Sequence, residues 1–131
     1  MAVLNSTPDS FYTQSRIAHN ESQLHERIAL LIREGADILD IGGYSTRPGA
    51  AEVTEQEELD RVLPVIQFVR TYFPRTVVSI DTFRAKVALE AVREGASIIN
   101  DVSGGNLDPT MYETVAELRV PYILTHMRGN P

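Results

Sequence analysis

The sequence has no cysteine. That excludes disulfides and thiolate chemistry and fits a reducing compartment, so a cytoplasmic location is expected. No apolar run approaches the ~20 residues that cross a bilayer, so no membrane partner is expected. No basic stretch followed by an apolar run opens the chain, so no signal peptide is expected from these residues. Cations are scarce: 12 Lys and Arg stand against 18 Asp and Glu, a formal net charge of −6. That balance argues against general nucleic-acid binding, which relies on basic side chains to neutralise phosphates. A small anionic ligand would have to be held by local groups against the overall field. What is present is ordinary for one globular domain with one core: 131 residues, 43% hydrophobic and 23% charged.

The polar residues fall in an informative pattern. Five short apolar runs each end in a polar cluster: at Asn5, at Asp40 before Gly42-Gly43, at Asp81, at Asn100-Asp101 and at Thr125-His126. A strand, a polar cluster at its carboxyl end and then a helix, repeated, is the layout of a (β/α) enzyme. In that layout chemistry gathers where the strands finish.

Between the runs lie helix signals. Leu24, Ile28, Leu31 and Ile32 follow the i, i+4, i+7, i+8 spacing of one helical face and predict a helix over 21–33, with Asn20 as N-cap and Gly35 as its stop. Thr54 and Glu57 form a capping box for a helix carrying Leu59, Val62, Ile66 and Val69. A third helix holds Ala85, Ala88, Leu89 and Val92 and stops at Gly95. Asp108-Pro109 is expected to cap a fourth, with Met111, Val115 and Leu118 inward. The predicted strands are 1–4, 38–41, 76–80, 98–99 and 120–124. Residues 33–40 (REGADILD) resemble residues 93–100 (REGASIIN) at an offset of 60, which is two βα units. Both segments end a helix, turn on glycine and enter a strand, so the repeat speaks to fold and not to activity. Parallel strands with crossover helices allow an open doubly wound sheet or a run of units from an eight-unit barrel. No G-x-G-x-x-G follows the first strand to favour the former.

Five strings carry more. They are Asn5-Ser6-Thr7-Pro8-Asp9-Ser10-Phe11, Gly42-Gly43-Tyr44-Ser45-Thr46-Arg47-Pro48-Gly49-Ala50, Ser79-Ile80-Asp81-Thr82, Asn100-Asp101-Val102-Ser103-Gly104-Gly105 and Thr125-His126-Met127-Arg128-Gly129. Together, in order and across residues 1–131, they closely resemble the dihydropteroate synthase family. The resemblance implies a partial (β/α)8 TIM barrel of about five strands and four helices, forming the N-terminal part of a pterin-binding domain. It also implies a transferase of folate biosynthesis. Such an enzyme condenses 4-aminobenzoate with the pyrophosphate ester of 6-hydroxymethyl-7,8-dihydropterin, assisted by Mg2+.

Carried over position by position, the resemblance implies that Asn5 lies near the metal and pyrophosphate. Thr46 and Arg47 would grip the pyrophosphate as catalytic residues, as suits a hydroxyl and a guanidinium in a Gly/Pro-rich loop. Asp81 and Asn100 would meet the pterin edge, although an aspartate at a strand end also suits capping a helix that starts at Thr82. Phe11 and Pro48 would wall the aminobenzoate slot, and Met127 would pack near the pterin. Strand alternation points Asn100 and Asp101 to opposite faces, so one of the two is expected to be structural. His126 has no partner at metal-ligand spacing, and Tyr44 stands where the family often has Glu.

The family's later pterin carboxylate, its later lysine and its Arg-x-His pair fall beyond Pro131. The chain therefore reads as a portion trimmed at both ends and is expected to be inactive alone. A non-catalytic pterin-binding or interaction module on the same scaffold is the alternative. Apolar, uncharged edge strands lead to the expectation of a homodimer.

Overall fold

The computed structural model describes residues 1–6, 17–43, 53–103, 105 and 107–124. Their elements alternate strictly: β1 (Ala2–Asn5), α1 (Ile17–Arg33), β2 (Ile38–Gly42), α2 (Glu55–Tyr72), β3 (Val77–Asp81), α3 (Ala85–Glu94), β4 (Ile98–Asp101), α4 (Met111–Leu118) and β5 (Tyr122–Leu124). The five strands form one parallel sheet in the order β1-β2-β3-β4-β5. A sequential order separates the two architectures left open by the pattern. A doubly wound sheet reverses its strand order at a switch point, whereas consecutive barrel units do not.

Register explains how the two sheet faces differ. Leu4, Ile41, Ile80 and Ile99 share one row, and Leu39 pairs with Val78. All six are buried and pack with α1, α2 and α3 residues in one cluster that includes Leu24, Ile28, Val62, Ile66, Val87 and Ala88. Full burial of each such side chain contributes roughly 1.5–3 kcal/mol. Alternate residues point the other way: Val3, Asn5, Asp40, Gly42, Ser79, Asp81, Ile98 and Asn100. Among the described residues the core thus lies on one face, and the opposite face carries the polar strand ends.

The helix ends follow their local chemistry. The Thr54 hydroxyl accepts from the Glu57 N–H at 3.1 Å, as a capping box requires. Gly35 and Gly95 adopt φ of +104° and +130°, so the two copies of the repeat make the same left-handed turn into β2 and β4. An aromatic group joins α1 to α2, with the His25 ring 4.7 Å from that of Phe73 and 6.3 Å from that of Phe68.

Two helix starts differ from expectation. α1 begins at Ile17, so Asn20 lies inside it and is not its N-cap. The apolar periodicity that set the expected start only begins at Leu24, while residues 17–20 contain no glycine or proline to halt the backbone earlier. Asp108 does not cap α4 through its side chain. Its Oδ1 accepts from the Thr110 N–H (2.9 Å) and hydroxyl (2.7 Å), and its Oδ2 accepts from the Ala85 N–H at 2.8 Å. Arg84, at the N-cap of α3, makes no side-chain cap bond, so Asp108 satisfies the first N–H of that helix from 23 residues away. Asp108→Ala should cost about 1 kcal/mol of stability, the usual loss on removing a cap. Chemical denaturation should show an unchanged slope and a lower midpoint.

Candidate functional site

The polar rim is built by register. Asn5 pairs with Gly42, Gly42 with Asp81, and Asp81 with Asn100, so the last residues of β1, β2 and β3 stand in one row with Asn100 of β4. Two glycines close the β2 end. A Cβ on Gly42 would lie 3.3 Å from Asp81 Cβ, and one on Gly43 would lie 3.0 Å from Val62 Cγ1. The first lets Asp81 occupy the space in front of β2, and the second lets the chain leave the strand against α2.

On this rim Asn100 Nδ2 donates to Asp40 Oδ2 at 3.1 Å, linking β2 to β4 across β3 and joining equivalent positions of the sequence repeat. Asp40 is only 3% exposed. Burial raises its pKa, opposed by Ser79 and Asn100. The Ser79 hydroxyl acts from the paired strand position without completing a well-formed hydrogen bond. Ser79 Oγ and Asp40 Oδ1 are both buried without a hydrogen-bond partner among the described residues. Asp81 is half-buried, and its pKa is pushed up to about 7, first by burial and then by the charges of Asp40, Glu58 and Asp101. Asp81 does not cap the next helix. Thr82 Oγ1 accepts from the Arg84 N–H, and α3 starts only at Ala85. Its carboxylate is therefore left to the rim.

Asp101 points to the opposite face from Asn100, as alternation requires, and is fully buried. It accepts from the Ser103 N–H (2.9 Å) and hydroxyl (2.7 Å), the Gly105 N–H (3.0 Å) and the Tyr122 hydroxyl (2.6 Å). Four donors to one carboxylate shape the turn after β4 and tie it to β5, which makes Asp101 structural. Burial, and then the bond to Asp101, raise the Tyr122 pKa.

Behind the rim lies a second carboxylate with no solvent access, Glu58 of α2. The Thr82 hydroxyl donates to its Oε2 at 2.6 Å, and Arg84 Nη1 pairs with its Oε1 at 3.0 Å. Arg84 Nη2 continues to the Val53 carbonyl at 2.6 Å. On the other side, Arg61 Nη1 donates to the Gly43 carbonyl at 3.1 Å, and the Ser6 hydroxyl donates to the Arg61 carbonyl. Guanidinium groups thus hold the backbone at Gly43 and Val53, the residues bordering positions 44–52.

Asp81 and Asn100 are therefore adjacent on one rim, with Asn5 exposed on the same row two strands from Asp81. Among the described residues no group of three or more His, Asp or Glu could hold a metal ion. Phe11, Thr46, Arg47, Pro48, His126 and Met127 lie outside the described residues. The sequence reading placed Asp40 at a strand end without giving it a role, and missed Glu58 and Arg84 as parts of the site. A signal existed for Asp40, a charge set between Leu39 and Ile41 in a strand read as buried. No local pattern marks Glu58, because its partners are 24 and 26 residues away.

Sequential parallel strands, helices on one face and a polar rim at the strand ends define one wall of a βα-barrel. The profile described as "Pterin binding enzyme" matches residues 1–131. The chain belongs to this pterin-binding enzyme family. It is 47% identical over 129 residues to dihydropteroate synthase of Bacillus subtilis, covering 98% of this chain and 44% of that protein. Against a folate synthesis bifunctional protein of Arabidopsis thaliana it is 47% identical over 133 residues, covering all of this chain and 27% of the plant protein. Among solved structures, dihydropteroate synthase of Xanthomonas albilineans with 4-aminobenzoic acid superposes with a TM-score of 0.82 at 43% identity, covering 98% of this chain and 46% of that one. The Anaplasma phagocytophilum synthase with bound 6-hydroxymethylpterin-monophosphate gives 0.83 at 34% identity, covering 98% and 48%. The chain spans less than half the length of these relatives.

Two outcomes follow from this geometry. Glu58→Ala removes the acceptor of the Thr82 hydroxyl and the carboxylate paired with Arg84, and should cost about 3 kcal/mol by urea denaturation, since deleting one side of a buried ion pair is strongly destabilising. Glu58→Gln, which keeps an acceptor for Thr82, should lose less. For Asp81, a folded pKa of about 7 above the ordinary 3.8 means that the native state holds the proton longer than the unfolded chain. Stability should therefore fall as pH rises from about 4 to 7 and stay lowered above that. Asp81→Asn should remove this loss. Thermal unfolding should show the variant gaining on the parent at pH 8 and little difference at pH 4.

Proposed function

We propose that the protein carrying this chain is a dihydropteroate synthase. In the reaction, the amino nitrogen of 4-aminobenzoate forms a bond to the exocyclic methylene carbon of the dihydropterin. The bond from that carbon to the pyrophosphate oxygen breaks, and the nitrogen loses a proton. The observation that carries this reading is the pairing of Asp81 with Asn100 on the rim, in a chain that matches the pterin-binding family throughout. A carboxylate beside an amide offers acceptors for ring N–H groups together with a donor, the complement of a pterin edge.

In this reading Asp81 and Asn100 orient the pterin, and Met127 packs beside it. Phe11 and Pro48 line the aminobenzoate slot and exclude water. Thr46 and Arg47 bind the departing pyrophosphate, whose growing charge needs cationic and hydroxyl donors. The holds on Gly43 and Val53 fix the backbone on either side of these two residues. Mg2+ commonly takes one or two protein oxygens and completes its shell with water and substrate phosphates, so the exposed Asn5 amide oxygen fits as its protein ligand. When bound, the ion would neutralise pyrophosphate charge. A homodimer is part of this reading, carried over from the family resemblance. A non-catalytic pterin-binding module is less well supported, because such a protein has no use for the Thr46-Arg47 pair.

Calorimetry with 6-hydroxymethylpterin tests the reading. The 131-residue chain alone should bind weakly, at about 100 μM or poorer, equivalent to roughly −5 kcal/mol, with no measurable dihydropteroate formation. Extension to the length of its relatives should give turnover. Asp81→Ala should abolish binding in both forms, and unchanged affinity in that variant would refute the pterin assignment.

A further inference from the structure

We propose that Asp40 is a positioning residue whose carboxylate fixes the side-chain amide of Asn100, so that Asn100 meets its ligand with one N–H and its Oδ1 in a set order. The inference rests on the pterin reading of Asp81 and Asn100 and extends it to a residue that touches neither the reacting atoms nor, by its burial, the solvent.

Three observations support it. First, Asp40 lies on the sheet face opposite the described helices, with Asn100 and Asp81, and its Oδ2 accepts from Asn100 Nδ2 at 3.1 Å. Second, its pairing is incomplete compared with the other buried carboxylates. Asp101 receives four donors and Glu58 a hydroxyl and a guanidinium, whereas Asp40 has one well-formed bond and a buried Oδ1 with no partner among the described residues. A carboxylate placed only for stability would be better satisfied or replaced by an apolar side chain, because burying it this way is costly. Third, the choice of partner matters. The two ends of a primary amide have nearly the same shape but opposite hydrogen-bonding character. An ionised carboxylate accepts only, so it draws the NH2 end of Asn100 toward itself and repels the carbonyl. Without Asp40 the amide loses that preference, and half of its orientations present the wrong atom to the ligand.

The test uses the protein at the length of its relatives and 6-hydroxymethylpterin as the probe. Affinities are measured by calorimetry for the parent, Asp40→Asn, Asn100→Ala and the double variant, with folding checked by circular dichroism. Asp40→Asn should weaken binding about tenfold, the worth of one charge-assisted hydrogen bond. The double variant should bind no more weakly than Asn100→Ala, because Asp40 acts through Asn100. In the ligand-free parent, the Asn100 side-chain amide should show a downfield, slowly exchanging proton by NMR that is lost in Asp40→Asn. Should Asp40→Asn fold poorly, Asp40→Ser takes its place with the same expectations. If the parent binds pterin but the Asp40 variant stays within twofold of it, or if the two losses multiply in the double variant, this inference falls and the functional reading stands. An Asn100 amide that exchanges like an exposed one in the parent also overturns it. Failure of the parent to bind pterin brings down the functional reading and the inference together.

Discussion

The buried carboxylate of Glu58 is the constraint on which the arrangement depends. It sits in the first turn of α2, where the partial positive charge of the helix N-terminus favours an anion. From there it reaches the Thr82 hydroxyl just past β3 and the guanidinium of Arg84 just before α3. Arg84 in turn holds the Val53 carbonyl, immediately before the α2 cap. One side chain therefore sets the spacing between two consecutive βα units at the level of the rim. Hydrophobic burial stacks the helices on the sheet but is non-directional. The ionic cluster adds the direction that apolar contact cannot supply.

The same cluster contributes to the electrostatics of the rim. Glu58, Asp40 and Asp101 each raise the proton affinity of Asp81, while among them only Glu58 has a cationic partner at hand among the described residues. Each of the three carboxylates has its own donor set, whereas Asp81 stands among them on the open face. A group in that setting favours ligands that bring N–H donors or positive charge, which is the chemistry a nitrogen-rich heterocycle provides.

Much of the fold was legible because its signals are local. The Thr54-Glu57 box, the glycines at 35 and 95 and the apolar period of α2 are read within a few residues of where they act. The placement of Asp81 and Asn100 was legible as well, because a polar residue ending an apolar run lands on the rim. What remained hidden depends on distant partners. Asp108 looked like a cap for the helix that follows it, yet one carboxylate oxygen serves Ala85, since sequence spacing cannot show that α3 begins beside it. The split between Asn100 and Asp101 was foreseen from alternation, but which of the two was structural depended on Tyr122 and the turn at Ser103-Gly105. The start of α1 lies ahead of its apolar period because periodicity reports where a helix is buried, not where its backbone begins to coil.

Gly42 gives the rim an unusual boundary. With its missing Cβ directed at Asp81 from 3.3 Å, the wall of the site at this point is bare main chain. A side chain there would have conformations of its own, and the carboxylate beside it would be free to follow them. A peptide unit locked in a parallel ladder has none. The acid is thus seated against the stiffest part of the sheet, and the recognition surface gains rigidity from an atom that is not there.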